Sequence, residues 1–379
     1  MQRLNISGPA HSFNYKIVIG QGVLSTTGRR VRRCLPDQAQ HVALISNKKV
    51  FSLYGAVVAE SLEASGFKVS SWLMGDGERY KSLSTAETVI QFLSDHGLER
   101  TDGVVALGGG VTGDLAGFAA AIYLRGVSFV QIPTTVVAQV DASIGGKVGV
   151  NLSSGKNRAG VFRQPGLVLS DVETLTTLPA RELTAGWCEC IKQGAIGSRK
   201  LFKQTTEYLS QIKSKRITVS SQLEKLIAAQ CAFKASVVRT DVHEDPARTD
   251  RRSRRILNFG HTVGHALESL TGYRRFRHGE TVGWGMTVAG ILSKNLGLLD
   301  KSELELLLAG IRLCGPLPSA ENIDVQAILK AITSDKKSGH GELRWVLLER
   351  IGRPRIVSSK EIDAATLRTS IREGLRERA

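Results

Sequence analysis

The chain has 379 residues, 42% hydrophobic and 23% charged with both signs interspersed, a composition that excludes a disordered polymer and suits two domains. It lacks any run of about 18 apolar residues, and Met1-Gln-Arg-Leu-Asn has no secretory core, so neither a membrane span nor export is expected and a cytosolic setting is. The net charge of +16 points to an anionic partner, but the densest basic run, Arg248 to Arg255, has no aromatic residue to stack on a base, which favours a small anion over nucleic acid.

Short apolar runs alternate with amphipathic stretches through the first 179 residues. Strands are expected at Val42–Ser46, Phe67–Leu73, Gly103–Leu107 and Val127–Ile132, with a helix at Thr85–His96. That alternation predicts an α/β domain with a parallel sheet over residues 1–179. After Pro179 helical periodicity dominates, at Arg181–Ile196, Leu201–Ile212, Ser220–Val238, Thr262–Leu270, Glu280–Leu296 and Glu303–Leu313. Residues 180–379 are therefore expected to form a mainly α-helical domain, closed by a small ribbon around Gly352.

Cys34, Cys188, Cys190, Cys231 and Cys314 are odd in number and sparsely spaced, as free thiols would be. Gly108, Gly110 and Gly113 follow a strand and precede the helix-like run from Leu115, in the G-x-G-x-x-G spacing that lets backbone approach a pyrophosphate. The spacing alone leaves open a tight turn packed on a sheet. No acid follows about 20 residues later, so an ordinary Rossmann dehydrogenase is not expected. His261 and His265 stand at i and i+4, one helix face apart, and His278 follows 13 residues on. Thr262 occupies the place of the zinc-protease glutamate, which disfavours peptidase chemistry. Spacing alone makes His261 and His265 a candidate ligand pair, with hydrogen-bonded core histidines as the alternative.

Taken together, several ordered segments closely resemble the dehydroquinate synthase family. They are Asp76 to Lys81, Gly108 to Asp114, Gln131 to Thr135, Asp141 to Lys147, Gly155 to Asn157, Gly186 to Lys192, Leu257 to Thr262 and Asp335 to Lys337. The resemblance implies NAD in the N-terminal α/β domain and one divalent metal, zinc or else cobalt, in the helical C-terminal domain. It implies Glu189, His261 and His278 as metal ligands, with His265 an active-site hydrogen-bonding group. On the cofactor side it implies Asn47, Glu78, Lys81, Gly110, Asp114, Thr134, Thr135, Asp141, Lys156 and Thr177. On the substrate side it implies Lys147, Asn157, Lys192, Lys234, Arg254, Asn258, His265 and the Asp335-Lys336-Lys337 turn, where Lys336 or Lys337 faces the substrate. Arg125 matches a residue that serves the partner's site in a homodimer. Between Lys234 and Arg254 the chain carries about six residues more than the family usually does, read here as a surface loop at 243–253.

The implied substrate is an anionic sugar phosphate, 3-deoxy-D-arabino-heptulosonate 7-phosphate. Transient oxidation by NAD, loss of phosphate, re-reduction and an aldol closure would give the carbocycle. Lys234 and Arg254 are expected to need the substrate carboxylate as their counter-anion. The alternatives are a sister cyclase acting on sedoheptulose 7-phosphate or glucose 6-phosphate, a metal-dependent polyol dehydrogenase, and a basic nucleic-acid-binding protein without catalysis.

Overall fold

A computed structural model of the chain describes residues 1–7, 14–212, 217–337 and 343–377, the side chains of 4–7 and 334–337 excepted. β1 (Gln2–Ser7) and β2 (Asn14–Gly20) pair antiparallel and lead into α1 (Thr27–Arg32). Strand and helix then alternate: β3 (His41–Asn47), α2 (Lys48–Glu63), β4 (Lys68–Met74), α3 (Leu83–Asp95), β5 (Gly103–Gly108), α4 (Gly110–Ile122) and β6 (Ser128–Pro133). β7 (Lys147–Leu152) and β8 (Gly155–Phe162) form a separate antiparallel hairpin, and β9 (Leu167–Asp171) returns to the sheet. The seven-stranded sheet has the order β1-β2-β9-β6-β5-β3-β4, parallel from β2 to β4.

The sheet is covered on both faces, as parallel sheets are. Successive side chains of a strand point to opposite faces. Ala43 and Ile45 accordingly pack with Val89 and Leu93 of α3 and Leu115 and Ala119 of α4. Val42 and Leu44 pack on the other face with Val31, Val58 and Leu62. Strand order reverses at β3, which has β4 on one side and β5 on the other. In open α/β sheets the carboxyl ends of strands at such a reversal form the ligand crevice. Asn47 ends β3 and the glycine turn follows β5, at that place.

After residue 178 the elements are α5 (Ala180–Gly197), α6 (Arg199–Gln211), α7 (Ser221–Thr240), α8 (His261–Leu270), α9 (His278–Asn295), α10 (Lys301–Leu313) and α11 (Val325–Lys337). The ribbon β10 (Arg344–Arg350) and β11 (Arg353–Ser358) pairs around Gly352 as expected, and α12 (Ala364–Arg376) closes the chain. Two compact units result. Unit 1 holds residues 1–178 and 218–235; unit 2 holds 179–217 and 236–379. Among the described residues no helix is long and apolar enough to cross a membrane.

The four expected strands correspond to β3 through β6. The sequence reading did not mark β1, β2, β9 or the β7–β8 hairpin. β8 is Gly-Lys-Asn-Arg-Ala-Gly-Val-Phe, poor in strand formers and broken by glycine. The helix after the glycine turn starts earlier than Leu115, at Gly110.

Candidate active site

Unit 2 gathers its polar groups by packing α5, α8 and α9 unusually closely. A Cβ at Gly279 would sit 1.9 Å from the Ala185 carbonyl oxygen, so only glycine lets the first turn of α9 meet α5 there. Gly260 has φ +80°, and a Cβ would stand 2.8 Å from Met286 N and Val282 O; it places His261 at the first position of α8. A bidentate clamp holds the same helix ends. Arg181 Nε and Nη2 donate to fully buried Glu280 at 2.6 and 2.8 Å, and the Arg277 amide donates to Glu280 at 2.6 Å.

The result is a compact donor set around one buried carboxylate. Potential ligand atoms of Glu189, His261 and His278 lie within 4.8 Å of one another. Glu189 is fully buried, and neither carboxylate oxygen receives a well-directed hydrogen bond from the protein, although Lys192 Nζ stands 2.5 Å from Oε2. His278 Nε2 stands 3.5 Å from Glu189 Oε1, and its Nδ1 stands 3.2 Å from Glu268 Oε1. His261 Nδ1 lies 3.2 Å from the Phe259 carbonyl oxygen. That oxygen can only accept, so His261 carries its proton on Nδ1 and keeps the Nε2 lone pair. Burial, and then the neighbouring Lys192, push His261 well below its ordinary range, so the ring is neutral. An under-bonded buried carboxylate facing neutral imidazole fits a divalent cation of the zinc type.

His261 and His265, paired by spacing, do have ring centroids 5.2 Å apart. Their ligand atoms fall in different groups, however. His265 joins Glu268 and His278 in a second set that shares His278. Glu268 already faces Nδ1 of that shared ring, so the first set is the one with lone pairs open.

The long loop before Arg254 does not leave that residue loose. Asp241 Oδ2 accepts from the Arg254 amide at 2.7 Å, Asp241 Oδ1 accepts from the Asp245 amide at 2.8 Å, and Arg254 Nη1 donates to Val242 O at 2.8 Å. Arg254 is buried while most of residues 243–252 are exposed. Asn258 Nδ2 donates to Glu244 Oε1 at 3.1 Å. Lys336 and Lys337 fall in the last turn of α11, with side chains outside the described residues.

In unit 1 the glycine turn opens α4, whose N-terminus has no side-chain cap and whose body is apolar and buried. Its leading N–H groups are thus available to an anion. Gly110 approaches Ala142, and Thr134 donates its amide to Gly108 O at 2.9 Å, so β6 backs the turn. Thr135 Oγ1 accepts from the Ala138 amide at 3.1 Å. Lys81 Nζ stands 2.5 Å from both Asp114 Oδ2 and Asn157 Oδ1. Burial pushes the Asp114 carboxyl above its ordinary range, and Lys81 pulls against that. Asn157, at φ +53°, receives further support: its amide donates to Asn151 Oδ1 at 2.9 Å, and Asn151 Nδ2 donates to Glu78 Oε1 at 2.8 Å.

Lys234 Nζ lies 2.5 Å from Asp141 Oδ1. The expectation that Lys234 needs a substrate carboxylate for charge balance is therefore corrected, since the protein already supplies one. Asn47 Oδ1 accepts from the Val50 amide at 2.8 Å and caps α2. Thr177 Oγ1 meets the Tyr54 hydroxyl at 2.7 Å. Lys147 and Lys156 lie on the β7–β8 hairpin. Arg125 is exposed at φ +66°, directly after Leu124 at φ +48°. Sequence reading missed Glu268, Asp241, Glu244 and Asn151. For Glu268 a signal existed, because residues 261, 265 and 268 share one helix face.

Family models described as 3-dehydroquinate synthase N-terminal and C-terminal match residues 71–185 and 186–338. The 3-dehydroquinate synthase of Pelotomaculum thermopropionicum is 44% identical over 93% of this chain and 92% of its own; that of Gloeobacter violaceus is 44% identical over 93% and 94%. Among solved structures, a 2-deoxy-scyllo-inosose synthase complexed with carbaglucose-6-phosphate, NAD+ and Co2+ is 27% identical, with a TM-score of 0.83 over 98% of this chain and all of its own. A 2-epi-5-epi-valiolone synthase from Streptomyces hygroscopicus with NAD+ and Zn2+ bound shares the fold at 24% identity, with a TM-score of 0.84 over 97% of this chain and 98% of its own.

Proposed function

The chain belongs to the 3-dehydroquinate synthase family, and from that premise we propose that it converts 3-deoxy-D-arabino-heptulosonate 7-phosphate to 3-dehydroquinate and phosphate, as a phosphate-eliminating carbon–oxygen lyase of the shikimate pathway. The observation that carries the reading is the buried Glu189 carboxylate facing His261 and His278, with Lys192 Nζ 2.5 Å away. When bound there, a divalent cation would supply Lewis acidity to substrate hydroxyls, and NAD on unit 1 would supply a reversible hydride acceptor.

The chain's own groups do the remaining work. Gly110 and the uncapped start of α4 give backbone N–H groups to a pyrophosphate, while Glu78, Lys81, Asp114, Thr134, Thr135, Asp141 and Lys156 shape the cofactor side. Lys81 and Asp114 hold Asn157 in a left-handed backbone that orients its amide. Lys192 keeps a proton beside Glu189. His265 is an exposed imidazole on the same helix face as His261 and can hold or move a proton near the substrate. Arg254, buried and fixed through Asp241 and Val242, is the group suited to grip a carboxylate bidentately. Lys147 and Arg125 are assigned to the phosphate, Arg125 from the partner of a homodimer, and the setting is cytosolic.

The test compares cyclisation of the heptulosonate phosphate, sedoheptulose 7-phosphate and glucose 6-phosphate. The carboxylate substrate should be preferred, and Arg254→Ala should raise its activation barrier, read from kcat/KM, by roughly 2–5 kcal/mol while barely affecting the others. Preference for either neutral-headed sugar moves the protein to a sister cyclase. For the shared site, Arg125→Ala mixed with Lys192→Ala should regain activity in hybrid dimers; no recovery after proven subunit exchange rejects it.

A further inference from the structure

Both nitrogens of His278 are engaged, and they point in opposite directions. Nε2 faces Glu189 at 3.5 Å, where the proposed cation belongs. Nδ1 faces Glu268 Oε1 at 3.2 Å. Glu268 is 2% exposed and lies on α8, seven residues after His261. A neutral imidazole that gives one nitrogen's lone pair to a metal carries its proton on the other, and an acceptor facing that nitrogen fixes the tautomer and the ring. Glu268 offers such an acceptor oxygen and is fixed to the same helix as another ligand. His261 solves the same problem with the neutral Phe259 carbonyl at 3.2 Å. The two rings therefore have chemically different outer partners, a side-chain carboxyl and a backbone carbonyl.

We infer that Glu268 is a positioning residue for the metal centre: through Nδ1 it sets the tautomer and ring orientation of His278 and raises the basicity of Nε2 toward the cation. The inference rests on the metal reading above and deepens it. An outer carboxylate of this kind contributes roughly 10–100-fold in metal affinity. An amide of the same shape keeps one acceptor oxygen and adds a donor end, so it is a partial substitute.

The experiment measures zinc affinity of the metal-free full-length protein by competition with a chromophoric chelator, for wild type, Glu268→Gln, Glu268→Ala and His278→Ala. Thermal unfolding of each apo form is recorded alongside. Glu268→Gln should bind zinc about tenfold more weakly and Glu268→Ala up to about 100-fold more weakly. The apo unfolding midpoint of Glu268→Gln should stay near wild type, which a merely structural role would not allow together with weaker zinc. His278→Ala should lose the site. Wild-type affinity in Glu268→Gln overturns the inference. So does loss of zinc in Glu268→Gln as complete as in His278→Ala, which would make Glu268 a ligand itself. Wild-type zinc in His278→Ala would instead sink the metal assignment on which the inference stands. Should Glu268→Ala fail to fold, the Glu268→Gln result decides alone.

Discussion

Unit 1 and unit 2 treat their buried charges differently. In unit 1 each buried lysine closes on a carboxylate, Lys81 on Asp114 and Lys234 on Asp141, both at 2.5 Å. In unit 2 one buried carboxylate, Glu189, meets one lysine and two imidazoles and still has lone pairs that no well-directed hydrogen bond fills. These two lysines of unit 1 thus have protein counter-charges before any ligand arrives, and the start of α4 offers backbone N–H groups. Unit 2 gathers a donor set that could hold a divalent cation. Paired charge and free backbone N–H groups suit an anionic ligand, whereas a carboxylate with unfilled lone pairs beside imidazoles suits a cation.

The largest expected effect breaks unit 2. His278→Ala should abolish tight zinc binding and lower turnover by more than the roughly 100-fold that an outer-partner change costs. Elemental analysis with steady-state rates checks it; a full complement of zinc contradicts the ligand set. Next, Lys81→Met leaves Asp114 without its cation. It should cost about 3 kcal/mol in urea unfolding, the low end for a broken buried pair because Asp114 is 19% exposed. Burial already raises the Asp114 carboxyl above its ordinary range, and removing Lys81 raises it further. A carboxyl with a raised folded pKa favours the folded state at low pH and disfavours it as pH rises through that pKa. The Lys81→Met defect should therefore shrink as pH falls toward 4, and Lys81→Met with Asp114→Asn should recover part of it at pH 7.

Smaller changes sharpen the contrast. Gly110→Ala puts a Cβ 3.2 Å from that of Ala142, at the glycine turn that opens α4. It should cost about 1–3 kcal/mol of stability and weaken NAD at least about tenfold, with zinc affinity unchanged; titration calorimetry separates the two. The mildest probe is chemical. Cys34 in unit 1 is partly exposed but pushed up to about 11 by burial, whereas Cys188, Cys190 and Cys314 in unit 2 are buried. Native protein at pH 8 should alkylate slowly, Cys34 first, with a rate rising about tenfold per pH unit until about 11, where the thiolate saturates.

Much of this was legible in the sequence, for physical reasons. β3 to β6 are apolar runs bounded by turn residues. The ribbon shows as two strand patterns around Gly352. Glu189, His261 and His278 lie 72 and 17 residues apart in sequence, and their grouping came from the family resemblance; the one pairing that spacing offered, His261 with His265, spans two donor groups. Periodicity reports which face of its own helix a residue occupies, not which helix that face meets. The close α5–α9 approach that brings Glu189 to His278 depends on Gly279, whose need for no side chain is visible only against Ala185 O. The charge accounting at Lys234 failed for a similar reason: Asp141 is 93 residues away in sequence and 2.5 Å away in space. Glu268 was within reach, since its helix face was known, but its value depends on the second nitrogen of His278.

The most direct test of the account follows phosphate and NADH together, in one reaction containing the heptulosonate phosphate, NAD and zinc, with chelator-treated and NAD-free controls. A cyclase that re-reduces what it oxidises should release one phosphate per dehydroquinate formed, with no net NADH and no turnover in either control. NADH accumulating in step with substrate consumption, without phosphate release, would contradict it and make the protein a dehydrogenase.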